Sequence, residues 1–262
     1  MTTPRLRPSP PLTVRPERVR WLAAAFVVVG AGWFVLMMFS FLDNFGVGAA
    51  DQPVHDWAIS LRTPVATAIL AFITTLTGPS WMTVITAIAG FGWMIVSREW
   101  RRPVLLMGAM GLAVLASTLI KHELSRARPD PVQMMLAIDQ SYSFPSGHTL
   151  GTAVFAGSLA YLLAAHSARR NAFALGAVLA VAFTALVAFT RLYLGYHWLT
   201  DVLASAGLSL VFIAAVMVGD LLLSRRPVAT TEATGAVGAK GPSGQPAVRP
   251  EGDLADGPTE RS

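Results

Sequence analysis

The stretch Trp21–Leu42, "WLAAAFVVVGAGWFVLMMFSFL", decides how the rest of the chain is read. It holds no ionisable residue, and at ~1.5 Å per residue a helix of this length crosses the ~30 Å hydrocarbon core of a bilayer. The "GVGAA" that follows resembles a cleavage site, but the run exceeds the roughly 7–15 apolar residues of a secretory signal, so it is expected to remain as an anchor. Five similar runs follow: Trp81–Ser97, Pro103–Ile120, Gly147–Ala165, Ala172–Thr190 and Trp198–Leu223. Composition agrees: 53% of the 262 residues are hydrophobic, only 13% are charged, and mean hydropathy is +0.54. A soluble domain carries about 25% charge. The expected fold is an all-α, polytopic membrane helix bundle with six transmembrane helices.

Residues 53–77 are partly apolar but hold His55, Asp56 and Arg62 and are punctuated by Pro53 and Pro64. They are read as one or two interfacial helices between spans one and two. A seventh crossing is the alternative, and the arginines decide against it. Arg15, Arg18 and Arg20; Arg98, Arg101 and Arg102; Arg169 and Arg170; and Arg225 and Arg226 all fall on one side of a six-span chain. The positive-inside rule makes that side cytoplasmic, with both termini there and the chain multi-pass in a plasma membrane. The net charge of +5 and pI near 10.2 then reflect cytoplasmic loops, and nucleic acid is not an expected partner. Residues 1–19 and 225–262, rich in Pro, Gly, Ala and charge, read as disordered cytoplasmic tails around a 20–224 membrane domain. The absence of cysteine excludes disulfides and thiolate metal sites.

Three polar junctions share the opposite, outer leaflet. Span three ends in "LIKHELSRARPDP", span four begins from "SFPSGH", and spans five and six meet at "TRLYLGYHWLTD". Ionisable residues at membrane depth are costly and mark function. Lys121, Arg128 and Arg191 supply point charge and forked donors suited to a phosphoryl dianion. Ser146 offers a hydroxyl, and Gly147 and His148 stand at a helix start whose free N–H groups and dipole attract anions. His197 and Asp201 are spaced i, i+4, one helical face if the last span begins at or before Tyr196. The carboxylate then fixes the imidazole tautomer and frees the other nitrogen for attack. His148, on a different junction, is placed to protonate a leaving oxygen. One carboxylate with two histidines on separate junctions is a poor metal site, so no metal and no cofactor are expected.

These junctions resemble the three motifs of the type-2 phosphatidic acid phosphatase superfamily, which includes membrane lipid phosphatases and soluble vanadium haloperoxidases. The first motif, lysine, six residues, then Arg-Pro, matches "KHELSRARP" from Lys121 to Pro129; the second matches "PSGH", Pro145–His148; the third matches "TRLYLGYHWLTD", Thr190 to Asp201. All three stand in order without a gap, and the resemblance spans roughly residues 50–223. It implies a metal-independent phosphatase in which His197 is the nucleophile, Asp201 orients it and His148 is the acid. Lys121, Arg128 and Arg191 are implied to bind phosphate.

The expected activity is hydrolysis of a lipid phosphate or pyrophosphate at the extracytoplasmic face through a phosphohistidine. Eighteen Arg to two Lys, with abundant Ala, suggests a bacterium with GC-rich DNA. Undecaprenyl pyrophosphate is favoured there because that carrier is released outside; phosphatidylglycerophosphate and phosphatidic acid are the competing substrates. A phosphotransferase passing the group to an acceptor alcohol, and a non-catalytic lipid transporter, are the other function classes. Among residues outside the motifs, Arg126 reads as a solvated loop charge and His122 as structural, while His55 and His166 stay outside the site. Trp81, Trp100 and Trp198 read as interfacial belt residues. Met134 and Met135 read as loop packing or a chain contact, and Gly108 and Gly111 as helix-packing positions.

Overall fold

The computed structural model describes residues 11–169 and 171–224. Its helices are α1 (Pro16–Leu42), α2 (Asp51–Ser60), α3 (Pro64–Leu76), α4 (Pro79–Ser97), α5 (Arg101–Leu124), α6 (Gly147–Ala164), α7 (Ala172–Tyr193) and α8 (Leu199–Ser224). Single 3₁₀ turns occupy Gly48–Ala50 and Pro131–Gln133, and no strand forms among the described residues. The helix starts follow local chemistry. Pro16, Pro64 and Pro79 stand in first turns, where the missing N–H costs nothing, and the Thr63 side chain caps α3 by accepting from Ala66 N at 3.3 Å.

α1, α4, α5, α7 and α8 are long and apolar enough to cross a membrane. α6 is the remaining expected span. It is the shortest of the six, and its first turn is polar because it carries His148 and Thr149. Outward-facing Val28, Ile95, Val96, Val178 and Val181 are all strongly exposed, as suits contact with lipid. α2 and α3 meet at a bend of 118°, so they do not make one straight crossing; they form a helical corner between the first two spans.

α1 packs along α8, and α6 packs against both α7 and α8. The α1–α8 approach depends on two glycines. A Cβ at Gly30 would stand 2.6 Å from Gly207 O, and one at Gly207 would stand 2.7 Å from Trp33 Cδ1. Gly108 and Gly111, expected at such contacts, instead have nothing within 4 Å of an added Cβ; helix contact is made at Gly90, against Met107.

The first helix begins at Pro16, inside the stretch expected to be tail. Just before it, Thr13 Oγ1 donates to Ala165 O and Ser167 O, both at 3.0 Å, while Leu12 and Val14 pack on the core. These contacts tie residues 12–14 to the end of α6. The expected C-terminal tail, with Arg225 and Arg226, lies outside the described residues, as do residues 1–10 and Arg170. The end of the bundle that receives Thr13 also holds buried Asp220, paired with Arg101 and His166, and the Glu99–Arg102 pair. Charges at this depth persist only when partnered.

Candidate active site

The three polar junctions come together at the other end of the bundle. His197 lies in the short connection between α7 and α8, and Asp201 in the first turn of α8. The helix does not reach back to Tyr196, so a shared helical face is not what pairs them. Asp201, third in the helix, reaches back to accept from Trp198 N at 2.9 Å, as in a capping box. The same oxygen, Oδ2, accepts from His197 Nδ1 at 3.1 Å and from the Ser143 hydroxyl. Gly195, at φ +82°, makes the turn before the histidine; a Cβ there would meet Gln133 O at 2.6 Å and Arg62 Nη2 at 2.8 Å.

Proton placement on His197 follows from its partners. Nδ1 faces a carboxylate and therefore carries the hydrogen, which leaves Nε2 with a lone pair. Nε2 points outward to Arg128 Nη1 at 3.1 Å. The ring is 1% exposed, and burial, followed by the charges of Arg128, Lys121 and Arg191, holds its pKa well below the ordinary imidazole value. His197 is accordingly neutral at neutral pH.

Cations surround that nitrogen. Lys121, in the last turn of α5, donates to the carbonyls of Tyr142 and Ser143. Arg128 holds the long 125–146 connection through Ser141 O at 2.7 Å, Ser141 Oγ at 2.9 Å and the Asp139 carboxylate at 2.6 Å, and it reaches Tyr196 O at 2.7 Å. Its guanidinium remains cationic although burial pulls its pKa down against Asp139 and Asp201. Arg191, 3% exposed in the last turn of α7, donates to Thr74 Oγ1 at 2.7 Å and lies over the Tyr196 ring. Its Nε has no hydrogen-bond partner among the described residues. An orphaned buried N–H on a cation is a donor waiting for an acceptor.

α6 contributes its N-terminus. Ser146 is fully buried and caps the helix, accepting from Thr149 N at 3.5 Å and also from Thr149 Oγ1 at 3.1 Å, and its backbone N–H reaches Asp201 O at 3.4 Å. Gly147 lies under Pro79, whose Cγ would be 3.3 Å from an added Cβ. His148 Nε2 lies 3.6 Å from the Cβ position of Gly78, beneath the α3–α4 corner. The three junctions that carry the eight residues singled out in the motifs thus meet at one end of the bundle, with Asp201 and Ser146 buried behind the rest.

Several neighbours were read differently in the sequence. Arg126 is not a solvated loop charge. Its side chain is 12% exposed and bridges Asp201 Oδ1 and Asp51 Oδ2, each at 2.5 Å. Both of its terminal nitrogens are engaged there, and its guanidinium carbon lies over the Phe41 ring at 4.3 Å and near the Trp198 ring at 5.8 Å. Trp198 also does more than line the interface, donating from Nε1 to Ala127 O at 3.0 Å. His55 is buried, with Nε2 3.0 Å from Gln133 Oε1, so it packs under the rim of the site. Met134 is loop packing, buried with Leu70, Tyr193 and Tyr196. Sequence reading missed Asp51, Thr74 and Ser143. Ser143 stands two residues before the second motif, so its position was legible, but its bond to Asp201 was not.

A cavity of about 430 Å³ opens beside the cations, between α4, α5 and α6. Lys121, Ser141 and Gly147 line it together with buried Met82, Met110, Ala113 and Leu150.

Residues 102–222 match the family model of the PAP2 superfamily. Phosphatidylglycerophosphatase B of Bacillus subtilis (strain 168) is 30% identical over 187 residues, covering 69% of this chain and 89% of the relative. The chain belongs to the PAP2 superfamily. A solved PAP2 structure, that of a transmembrane PAP2-type phosphatidylglycerolphosphate phosphatase from Bacillus subtilis, superposes with a TM-score of 0.67. It is 26% identical and covers 75% of this chain and 98% of its own. The PAP2 match bears out the all-helical membrane fold and makes the protein a multi-pass membrane lipid phosphatase.

Proposed function

We propose that this PAP2 phosphatase hydrolyses phosphatidylglycerophosphate, with His197 as nucleophile and no metal ion. The observation that carries the mechanism is the unprotonated Nε2 of a buried, carboxylate-oriented imidazole, which accepts from Arg128, with Lys121, Arg191 and the α6 N-terminus around it. The Nε2 lone pair attacks phosphorus and the bond to the lipid oxygen breaks. His148 gives its proton to that oxygen, releasing phosphatidylglycerol. Water then attacks the phosphohistidine, the P–N bond breaks, and His148 takes the proton back. Arg128, Arg191 and Lys121 stabilise the charge on the equatorial oxygens, with Ser146 and Gly147 cradling the anion.

The names of the relatives, both for phosphatidylglycerophosphate, support this substrate, as does the cavity beside the cations, whose apolar residues suit a lipid tail. Undecaprenyl pyrophosphate, favoured from topology, becomes the main competitor. The site is assigned to the outer face because Arg15, Arg18, Arg98, Arg101 and Arg169 all sit toward the opposite end of the bundle. The test is phosphate release by the detergent-solubilised protein, in excess EDTA, over phosphatidylglycerophosphate, phosphatidic acid and undecaprenyl pyrophosphate. The largest kcat/KM is expected on phosphatidylglycerophosphate. A higher value on the pyrophosphate removes the substrate assignment, loss of all turnover with EDTA removes the mechanism, and phosphate release that falls on adding an acceptor alcohol points to a transferase.

A further inference from the structure

Asp201 is fully buried and has two demands on it. Oδ2 orients His197, while Oδ1 is spent on Arg126 Nη1 at 2.5 Å. A carboxylate paired this closely with a guanidinium is neutralised as a unit. It would hold the imidazole in place yet offer little charge to support the cationic character that Nε2 acquires on forming its bond to phosphorus. A second carboxylate changes that balance. Asp51, 6% exposed in the first turn of α2, binds the far side of the same guanidinium at Nη2, 2.5 Å away. It also accepts from Thr200 N at 2.8 Å and Thr200 Oγ1 at 2.7 Å, which ties it to the first turn of α8 beside Asp201. Thr200 Oγ1 in turn accepts from Arg126 Nη1 at 2.7 Å.

We propose that Asp51 is a positioning residue for catalysis: through Arg126 it fixes Asp201 and gives the buried Asp51–Arg126–Asp201 unit one net negative charge behind His197. The charges sum as −1 for Asp51, +1 for Arg126 and −1 for Asp201. The unit has little access to water: the Arg126 side chain is 12% exposed, Asp51's 8% and Asp201's 0%. Its charge is therefore weakly screened. The other charged groups facing His197 are the cations Arg128 from the 125–146 connection, Lys121 from α5 and Arg191 from α7, with Asp139 pairing Arg128; titratable His148 faces it from α6. All of those cations oppose an imidazolium, so the anionic unit is what counters them on the nucleophile's inner side. Asp51 lies outside the three motifs, and Arg126 is one of the six unspecified residues within the first. The inference rests on His197 being the nucleophile.

The experiment compares wild type, Asp51→Glu, Asp51→Asn and the double variant Asp51→Asn/Arg126→Gln. Purified protein is used, with a thermal melt for each and kcat/KM measured against pH on phosphatidylglycerophosphate. The substrate's own titration is common to all four. Asp51→Asn leaves the unit neutral, so kcat is expected to fall about 10- to 100-fold, the loss seen when an outer partner of a metal-bound histidine is removed. Its acid limb moves to lower pH, because an imidazolium at position 197 loses support. The double variant has lost more contacts but regains a net charge of −1 on Asp201. It is expected to turn over several-fold faster than Asp51→Asn and to return the acid limb toward wild type. Asp51→Glu keeps both charge and rate within a few-fold. A purely structural role predicts the reverse order, with the double variant slowest and the acid limb unmoved, and that result overturns the inference. If Asp51→Asn does not fold, Arg126→Gln decides: it leaves the unit with two negative charges, so the charge account moves the acid limb to higher pH, and a limb that stays at the wild-type value sinks it. His197→Ala is run alongside. Its retaining turnover would remove the nucleophile reading itself, whereas its inactivity with an unrescued double variant removes only the role of Asp51.

Discussion

Replacing Asp139 with Asn should make the enzyme bind phosphate-like anions more tightly. Arg128 donates from Nε to Ser141 O, from Nη1 to Tyr196 O and His197 Nε2, and from Nη2 to Ser141 Oγ, and Nη2 also forms an ion pair with Asp139 Oδ2. An arriving phosphoryl group must displace one of these partners, and the carboxylate is the anionic one. Burial alone would raise the pKa of Asp139, but Arg128 and the Ser141 hydrogen bonds outweigh it and the net shift is downward. Asp139 therefore stays charged through neutral pH, and its competition fades only as pH falls below the ordinary carboxylate value. Two unit charges about 4 Å apart attract by about 1 kcal/mol in water and about 4 kcal/mol at a protein-surface dielectric. The Asp139 side chain is 34% exposed, and exposed pairs deliver about 0.2–1 kcal/mol, so we take about 1–2 kcal/mol for this half-buried one. At about 1.4 kcal/mol per tenfold, that converts to a roughly 5- to 30-fold gain. The assay is competitive inhibition by orthovanadate, with KM for the lipid measured in parallel. Asp139→Asn should lower both constants by that factor. An unchanged or raised vanadate constant would show that Asp139 orients Arg128 instead of competing with its ligand.

His148→Ala should lose about 10²–10⁴-fold on the lipid, whose alkoxide needs a proton, and distinctly less on an aryl phosphate, whose leaving group does not; equal losses on both would leave His148 without an acid role. In a chain without native cysteine, a cysteine at exposed Gln140 should react with an impermeant thiol reagent on intact cells and one at exposed Ala168 should not, and the opposite pattern would invert the topology. Because His197 is held well below its usual pKa, the acid limb of kcat/KM assigned to it should lie below pH 6.5; a limb above that value, moved by substitutions around His197, would contradict a buried neutral nucleophile.

The sequence made the six long helices and the candidate site legible for different reasons. Trp21–Leu42 and its five counterparts are visible because bilayer length and lack of charge are local properties. Lys121, Arg128, His148, Arg191 and His197 are visible because each stands beside a membrane edge where charge is costly. Arg126 was misread because its partners, Asp51 and Asp201, are each 75 residues away in sequence and only the fold brings them within 2.5 Å. Asp51 looked like one more polar residue of an interfacial helix, and nothing local distinguishes it from exposed Asp56. The pairing of His197 with Asp201 was found by the right spacing but the wrong geometry: a helix start with a reach-back carboxylate replaces a shared helical face. Gly108 and Gly111 failed as packing positions because periodicity cannot tell a lipid-facing glycine from one under a neighbouring helix.

The central claim is a covalent bond between His197 and phosphorus, and it can be read directly. The purified enzyme is mixed with phosphatidylglycerophosphate labelled in its terminal phosphate, quenched in alkali within milliseconds, and digested for peptide mapping. The account predicts a transient, alkali-stable and acid-labile phosphoenzyme located on the peptide carrying His197, absent from His197→Ala and accumulating in His148→Ala on an aryl substrate. Label on a different residue, or turnover in the His197→Ala protein at the wild-type rate, would contradict it.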